Sequence, residues 1–302
     1  MNTPAGSPFD LHNDAAWQAW RADKLASLPA SIGAMRVHLA DPCRPSSREL
    51  EKLKTLTRLH NWALFDTDPA KMTDEGCLKS LCEQIGLEQI DRNLRADDTG
   101  ISSIQVKQQD GTAYIPYTDR QLSWHTDGYY NDTGRQIHGW ALYCVRQAAD
   151  GGENQLMDHE MLYLMMRDED PCMVEALMQP DAMTIPANRE DGDEIRPDHS
   201  GPVFSVTPSG YLHMRYSARK RNIVWKEDAA TTRARDFITA LFRDTSAPIY
   251  TYRLQPGEGV VSNNILHRRN AFTDGDTADR KRLVWRARFY DRIDDSTTRV
   301  TE

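Results

Sequence analysis

The chain has 302 residues, a length that can bury a sizeable core and that fits one domain. Its formal net charge of −8, with acidic and basic residues mixed along the chain, provides no basic stripe to neutralise a nucleic-acid backbone. No apolar run approaches the roughly 18 residues that cross a bilayer, and the first residues lack the pattern of a signal peptide. We therefore expect a cytoplasmic protein that binds neither nucleic acid nor membrane; a homo-oligomer stays open.

Residues 1–100 are predicted to form a mainly helical flank. Ser46 and Glu49 open a periodic stretch to about His60, a pattern typical of a capped amphipathic helix. The segment Thr73–Glu75 opens a second such stretch to about Ile85. Both helices are expected to pack outside a sheet. The earlier sequence His12-Asn13-Asp14 lies in a polar stretch and is interpreted as a solvated helix start.

From Ile101 onward the sequence predicts short strands. The β-rich runs are ISSIQVK, IHGWALYCV, PVFSV, YLHMRY, IYTYRL, GVVSNNILH and RLVWRARFY. Helical patterns interrupt them at about 158–178, where Pro171 breaks the run, and at about 229–244. This alternation is too irregular for repeated βαβ units. It favours a jelly roll over residues 101–293, within a single domain spanning 1–302.

The five cysteines, Cys43, Cys77, Cys82, Cys144 and Cys172, are scattered and contain no CxxC pair. We expect reduced and mostly buried thiols.

A candidate metal pair follows the run LSW. In an extended backbone, residues two apart point the same way, so His125 and Asp127 can share one metal ion. Roughly one such His-x-Asp spacing is expected by chance in this composition, and His12 with Asp14 is a second example. The alternative is an ordinary hydrogen-bonded pair.

His267 is the best candidate for a third ligand. Two histidines and one carboxylate leave one face of an iron ion open for cosubstrate and oxygen. His267 ends a β-rich run and precedes a strand whose alternation puts Arg282, Val284, Arg286 and Arg288 on one face. These arginines either face water on an edge strand or hold a dicarboxylate inside the fold.

Taken together, these residues resemble the taurine dioxygenase/TfdA-like superfamily, which also contains γ-butyrobetaine hydroxylase. The resemblance covers about 104–293 and rests on WHTDGYY, GGENQLMD, VVSNNILHRRNAF and RLVWR, in the family's order. It implies a mainly β fold with flanking helices, the double-stranded β-helix or cupin-like jelly roll. It also implies iron(II) held by His125, Asp127 and His267, with 2-oxoglutarate and O2 as cosubstrates.

The same resemblance implies roles for three more residues. Arg282 matches the arginine that binds the 2-oxoglutarate carboxylate, and Asn154 falls where a hydroxyl or amide helps to hold it. Arg286 matches a second arginine that contacts acidic substrates in some members. The loop after His267 is longer than is usual, so Arg280 competes with Arg282 for the carboxylate.

The implied activity is hydroxylation of an unactivated carbon of a small polar metabolite, acidic or betaine-like, with release of succinate and CO2. Trp124, Tyr129 and Tyr130 flank the metal pair and either line the substrate pocket or pack in the sheet. Arg215, Arg219 and Arg221 either meet an anionic substrate or solvate a turn, and the turn is the preferred interpretation for most of them. The polar segment 188–200 is a candidate lid or a surface loop.

Two other classes of protein are alternatives to this one. A metal-dependent hydrolase would bind zinc through the same ligands, but it leaves Arg282 unexplained and lacks an HExxH-like arrangement. A non-catalytic jelly-roll binding protein would have no reason to keep four polar site residues.

Overall fold

The computed structural model describes residues 6–92, 100–106, 115–190, 193–219, 221 and 223–293. Its helices are α1 (Asp14–Ala26), α2 (Ser47–His60), α3 (Glu75–Gln84), α4 (His159–Glu169), α5 (Pro171–Leu177) and α6 (Ala229–Leu241). Every helix predicted from the sequence is found. Ser46 and Glu49 form the expected reciprocal capping box of α2, and Asp74 caps α3. Pro171 divides α4 from α5, as the sequence indicates.

The strands are short, as the turn-rich sequence predicts. They are β1 (Arg36–His38), β2 (Trp62–Asp66), β3 (Ser102–Ile104), β4 (Leu122–His125), β5 (Gly139–Arg146), β6 (Asp150–Gly151), β7 (Asn154–Met157), β8 (Met183–Ile185), β9 (Asn188–Glu190), β10 (Asp193–Arg196), β11 (His199–Gly201), β12 (Phe204–Val206), β13 (Leu212–Met214), β14 (Val224–Trp225), β15 (Tyr250–Tyr252), β16 (Glu258–Ser262), β17 (Leu266–Arg269), β18 (Phe272–Thr273) and β19 (Leu283–Phe289).

The chain divides into two compact units. The first comprises Met1–Leu28, Trp124–Gln136 and Met157–Ile249, and we call it the helical unit because it contains α1 and α4 to α6. The second comprises Pro29–Ser123, Ile137–Leu156 and Tyr250–Glu302, and we call it the sheet unit.

The sheet unit is built on a six-stranded sheet in the order β1-β2-β16-β5-β19-β3. Successive residues along each strand of this sheet point to opposite faces. Phe65, Tyr143 and Phe289 pack on one face with α2 and α3, whereas Trp62 and Trp140 belong to a second apolar cluster. The first hundred residues therefore contribute β1 and β2 to the main sheet in addition to the two predicted outer helices.

A second sheet has the order β15-β7-β17-β4. The predicted run GVVSNNILH is two strands here, because Asn263 and Asn264 form a turn between β16 and β17. Asn264 has φ +56°, a left-handed conformation that asparagine tolerates better than most residues. After the turn the chain enters β17, which carries His267.

The helical unit is held together by buried polar contacts as well as apolar packing. In α1, Lys24 is 5% exposed and lies 2.6 Å from carboxylate oxygens of both Asp158 and Glu160 at the start of α4. Arg167 of α4 stacks over the ring of Trp17 at 4.3 Å. Because Lys24 is paired with two carboxylates, its burial does not have the full free-energy cost of an isolated buried charge.

The candidate lid is a hairpin rather than an irregular loop. Strands β9 and β10 pair in antiparallel fashion, and β11 continues the chain by pairing with β8. Residues 191 and 192, which belong to the predicted segment, lie outside the described residues.

The prediction of reduced cysteines is wrong for two of the five. Cys43 and Cys77 form a disulfide that ties the segment before α2 to α3, across a sequence separation of 34. Cys82 and Cys144 are buried free thiols, as expected, and Cys172 is exposed. The pairing has no signature in the spacing, because it depends on the packing of α2 and α3 against one sheet face. None of the described helices has the length and apolar character needed to cross a membrane.

Candidate metal centre

His125 and Asp127 lie at the end of β4, where the chain turns sharply. The Nε2 atom of His125 is 3.4 Å from Oδ1 of Asp127, and both residues are buried. Gly128 follows with φ +66°, a conformation that costs glycine little, and it ends the extended segment directly after the carboxylate. Thr126, between the two, is fully buried and exchanges hydrogen bonds with Tyr216 through its backbone N–H and its hydroxyl.

His267 is oriented by its own strand. Its Nδ1 lies 3.0 Å from the carbonyl oxygen of Ile265, which can only accept, so Nδ1 carries the proton and Nε2 presents its lone pair. The ring of Trp140 packs 4.8 Å from the imidazole and limits its rotation. An imidazole fixed in this tautomer is prepared to ligate a metal through Nε2.

The three residues predicted as ligands come together. One candidate ligand atom from each of His125, Asp127 and His267 lies within 4.8 Å of the others. Strand β4, which ends at His125, is hydrogen-bonded to β17, which carries His267. Two imidazoles and one carboxylate form the donor set that suits an iron(II) ion with open positions.

Arg282 lies in a pocket of the sheet unit. The pocket is lined by Cys144, Gly151, Gly152, Asn154, Leu254 and Arg282, among others. Arg282 is 7% exposed, its backbone N–H donates to Asp274, and its Nη1 is buried without a hydrogen-bond partner among the described residues. Burial lowers the pKa of its guanidinium. An anion bound beside this guanidinium would offset the cost of the buried charge and accept a hydrogen bond from its unused donor.

The GG sequence before Asn154 shapes this pocket. A Cβ atom on Gly151, which has φ +71°, would lie 2.4 Å from the carbonyl oxygen of Ala271. Gly152 has φ +81° and faces the side chain of Arg282. Both positions therefore need glycine for β6 and β18 to pair beside Arg282.

The remaining predicted residues have different surroundings. Arg280 is exposed in a 3-10 turn and lies off the strand that follows Arg282. Arg286 is half-buried on β19, on the strand face predicted for it. Trp124 stacks on Phe242 with ring centroids 4.6 Å apart, which is a packing role. Tyr129 and Tyr130 are half-buried and meet edge to face at 5.3 Å.

Sequence reasoning missed two buried arginines. Arg215 is 2% exposed, so the interpretation of a solvated turn is wrong for this residue. Arg269 donates to the carbonyls of Thr118 and Arg120, and burial with the nearby charge of Arg282 lowers its pKa to about 9. Both arginines donate to backbone carbonyls, which every residue provides, so no sequence pattern reveals these contacts.

Two relatives share part of this sequence. A uridine-5'-phosphate dioxygenase from Amycolatopsis sp. is 34% identical over 173 residues, which cover 53% of this chain and 58% of the relative. A uridine-5'-phosphate dioxygenase from Streptomyces sp. is 30% identical over 176 residues, which cover 57% and 62%. The chain thus spans less than two thirds of the length of either relative.

Solved structures show the same fold. The non-heme iron oxygenase OrfP in complex with Fe and alpha-ketoglutaric acid superposes with a TM-score of 0.58 at 15% identity, covering 90% of this chain and 91% of that one. Asparagine oxygenase in complex with Fe(II), a hydroxyasparagine and succinate has a TM-score of 0.51 at 12% identity, covering 93% and 92%. The predicted fold, a β-rich jelly roll with flanking helices, is confirmed. The family described as taurine catabolism dioxygenase TauD, TfdA family matches residues 24–288, and the chain belongs to this family.

Proposed function

We propose that the protein is an iron(II)- and 2-oxoglutarate-dependent dioxygenase that hydroxylates an unactivated carbon of a small polar metabolite. The observation that carries the proposal is the convergence of His125, Asp127 and His267 within 4.8 Å. Membership of the TauD/TfdA family supports it. When bound, iron and 2-oxoglutarate supply the oxidation by O2, with succinate and CO2 as co-products.

The residues fit the metal by the chemistry of their donors. Neutral imidazole and carboxylate suit iron(II), and the tautomer of His267 leaves Nε2 as the donor. His125 and Asp127 would hold the ion together with His267, since their polar atoms are 3.4 Å apart. The protein's contribution would be to fix these three donors, and the ion would supply the chemistry with oxygen.

The residues also fit 2-oxoglutarate. Arg282 has a buried Nη1 with no hydrogen-bond partner among the described residues, and a carboxylate would supply both the charge and the acceptor. Asn154 lines the same pocket and offers an amide to the same ligand. Gly152 gives the backbone beside the guanidinium its left-handed conformation, with φ +81°. In this proposal Arg282 holds the distal carboxylate, and the exposed Arg280 takes no part.

For the substrate, the two relatives named for uridine 5'-phosphate make this nucleotide the first compound to test. An acidic metabolite is one of the substrate classes that the sequence leaves open. The half-buried Tyr129, Tyr130 and Arg286 are the proposed contacts, whereas the stacked Trp124 is assigned to packing. We also propose that residues 1–302 act as one catalytic domain, because the family match runs from 24 to 288. The cytoplasmic location stays a prediction.

The first experiment needs no substrate. Protein purified without oxygen is mixed with iron(II) and 2-oxoglutarate, and the weak visible charge-transfer band of the chelate is recorded for wild type, Asp127→Ala and Arg282→Ala. We expect the band in wild type, its loss in Asp127→Ala, and an affinity for 2-oxoglutarate reduced about tenfold or more in Arg282→Ala. Arg280→Ala is the matched control and should keep the wild-type affinity.

Wild-type protein that binds iron but gives no band would contradict the dioxygenase proposal. Turnover with zinc in the absence of 2-oxoglutarate would favour the hydrolase instead. A loss of 2-oxoglutarate affinity in Arg280→Ala, with Arg282→Ala unaffected, would reverse the assignment of the carboxylate ligand.

A further inference from the structure

The segment 215–219 lies directly against the strand that carries His125. The N–H of Thr126 donates to the carbonyl of Tyr216 at 2.9 Å, and the N–H of Ala218 donates to the carbonyl of Trp124 at 2.8 Å. These two bonds flank the antiparallel pair of His125 and Ser217. Opposite residues in such a pair project to the same face, with Cα atoms roughly 4.5 Å apart. Ser217 is therefore the cross-strand neighbour of a proposed metal ligand.

Arg219 follows Ser217 by two residues and is exposed. Its Nη1 lies 3.3 Å from the hydroxyl oxygen of Tyr129, which in turn follows Asp127 by two residues. Arg219 is therefore positioned near the metal pair in two ways. Its segment pairs with the strand of His125, and its side chain contacts Tyr129, which lies two residues after Asp127. Among the described residues it forms no ion pair with a carboxylate. Its guanidinium therefore retains donors for an anion.

The buried side chain of Arg215 fixes the backbone of Tyr129. Arg215 donates from Nε to the carbonyl of Tyr129 at 2.9 Å, from Nη1 to that of Met183 at 3.0 Å, and from Nη2 to that of His199 at 3.0 Å. Burial lowers the pKa of Arg215 to about 10. A guanidinium with three carbonyl acceptors holds the backbone of the loop after Asp127 in place, and with it the origin of the Tyr129 side chain.

A phenol hydroxyl and a guanidinium in contact offer several N–H and O–H donors around one point. This arrangement suits a tetrahedral dianion better than a flat carboxylate, which one guanidinium edge already saturates. The side chains of Arg219 and Tyr129 lie within the helical unit, so the site needs no residue from elsewhere.

We infer that Arg219 and Tyr129 bind the phosphate group of a phosphate monoester and so determine which substrate is held beside His125 and Asp127. The inference rests on the proposed function, because the phosphate anchors the compound that is to be oxidised at the metal. It reassigns Arg219 from a solvated turn to substrate recognition.

The test measures binding by calorimetry, without oxygen, in protein mixed with iron(II) and 2-oxoglutarate. Uridine 5'-phosphate, uridine and inorganic phosphate are titrated into wild type, Arg219→Ala, Arg219→Lys and Tyr129→Phe. We expect Arg219→Ala to weaken binding of uridine 5'-phosphate and of phosphate about tenfold or more, with Arg219→Lys intermediate and Tyr129→Phe reduced a few-fold. Binding of uridine should not change. Arg221→Ala, on the same turn, is the matched control and should bind as wild type does.

The two proposals fail separately. Absence of the charge-transfer band in wild type overturns the dioxygenase proposal, whatever the titrations give. The phosphate site is overturned if wild type binds neither phosphate compound, or if Arg219→Ala binds uridine 5'-phosphate as tightly as wild type while the band is intact. An equal loss of affinity for uridine would also overturn it, because the contact would then not be to the phosphate.

Discussion

At the scale of single residues, the candidate metal ligands could be predicted because they follow a recognisable spacing in the sequence. The burial of individual arginines could not be predicted, because it depends on packing in the folded chain. The spacing of His125 and Asp127, and the run that ends in His267, were enough to select three residues that the structure brings together. By contrast, the burial of Arg215 was not predicted, although it lies in the predicted strand YLHMRY, because the basic residues that follow it favoured a solvated turn. Arg215 is buried against carbonyls, whereas Arg219 is exposed.

Arg215 makes a direct stability prediction. Replacing it by leucine leaves the carbonyls of Tyr129, Met183 and His199 without their donor, and removing the desolvated charge offsets only part of that cost. We expect Arg215→Leu to lower the free energy of unfolding by about 3 kcal/mol, measured by urea denaturation. Arg221→Ala, on the exposed turn, should stay within about 0.5 kcal/mol of wild type. Equal midpoints for the two variants would contradict the role given to Arg215.

At the scale of elements, local sequence signals predicted where helices begin and end, but they did not predict which strands pair with each other. The capping box of α2 and the break at Pro171 are encoded within a few residues, so both were found where the sequence placed them. Strand β2 was missed because its apolar run WALF follows a helix directly and its partners, β1 and β16, are far away in the chain. The disulfide was missed for the same reason of non-local packing.

The Cys43–Cys77 disulfide should contribute measurably to stability. Because it closes a loop with a sequence separation of 34, we expect the double variant Cys43→Ser/Cys77→Ser to lose about 2–4 kcal/mol of unfolding free energy. Urea denaturation with and without reductant checks this, and reductant should affect wild type only. Cys172→Ser removes an exposed free thiol and is the matched control. A wild type that is insensitive to reductant, with its thiols titrating as free, would contradict the disulfide.

At the scale of the whole molecule, the alternation of apolar residues was sufficient to predict a mainly β fold with flanking helices, and the similar solved structures confirm it. The division into two units was not predictable, because each unit combines three separate stretches of chain. No linker composition marks such boundaries, and contacts between distant stretches define them.

Binding of iron(II) and 2-oxoglutarate should stabilise the native state, since the unfolded chain does not hold the three ligands together. At concentrations of about 100 times the dissociation constant we expect a gain of roughly 3 kcal/mol and a rise of Tm of about 5–10 °C, measured without oxygen. A chelator should reverse the shift, and Asp127→Ala should not show it. An equal shift in Asp127→Ala would place the metal elsewhere.

The contacts of Arg215 also bear on how this protein can change over evolution. Its three acceptors are main-chain carbonyls, which every amino acid provides, so residues 129, 183 and 199 can be replaced without loss of an acceptor. The side chain at 129 can therefore change while the backbone of its loop keeps the same support. In the proposed site, where Tyr129 contacts the substrate, substitutions at 129 should alter which substrate binds at little cost to folding.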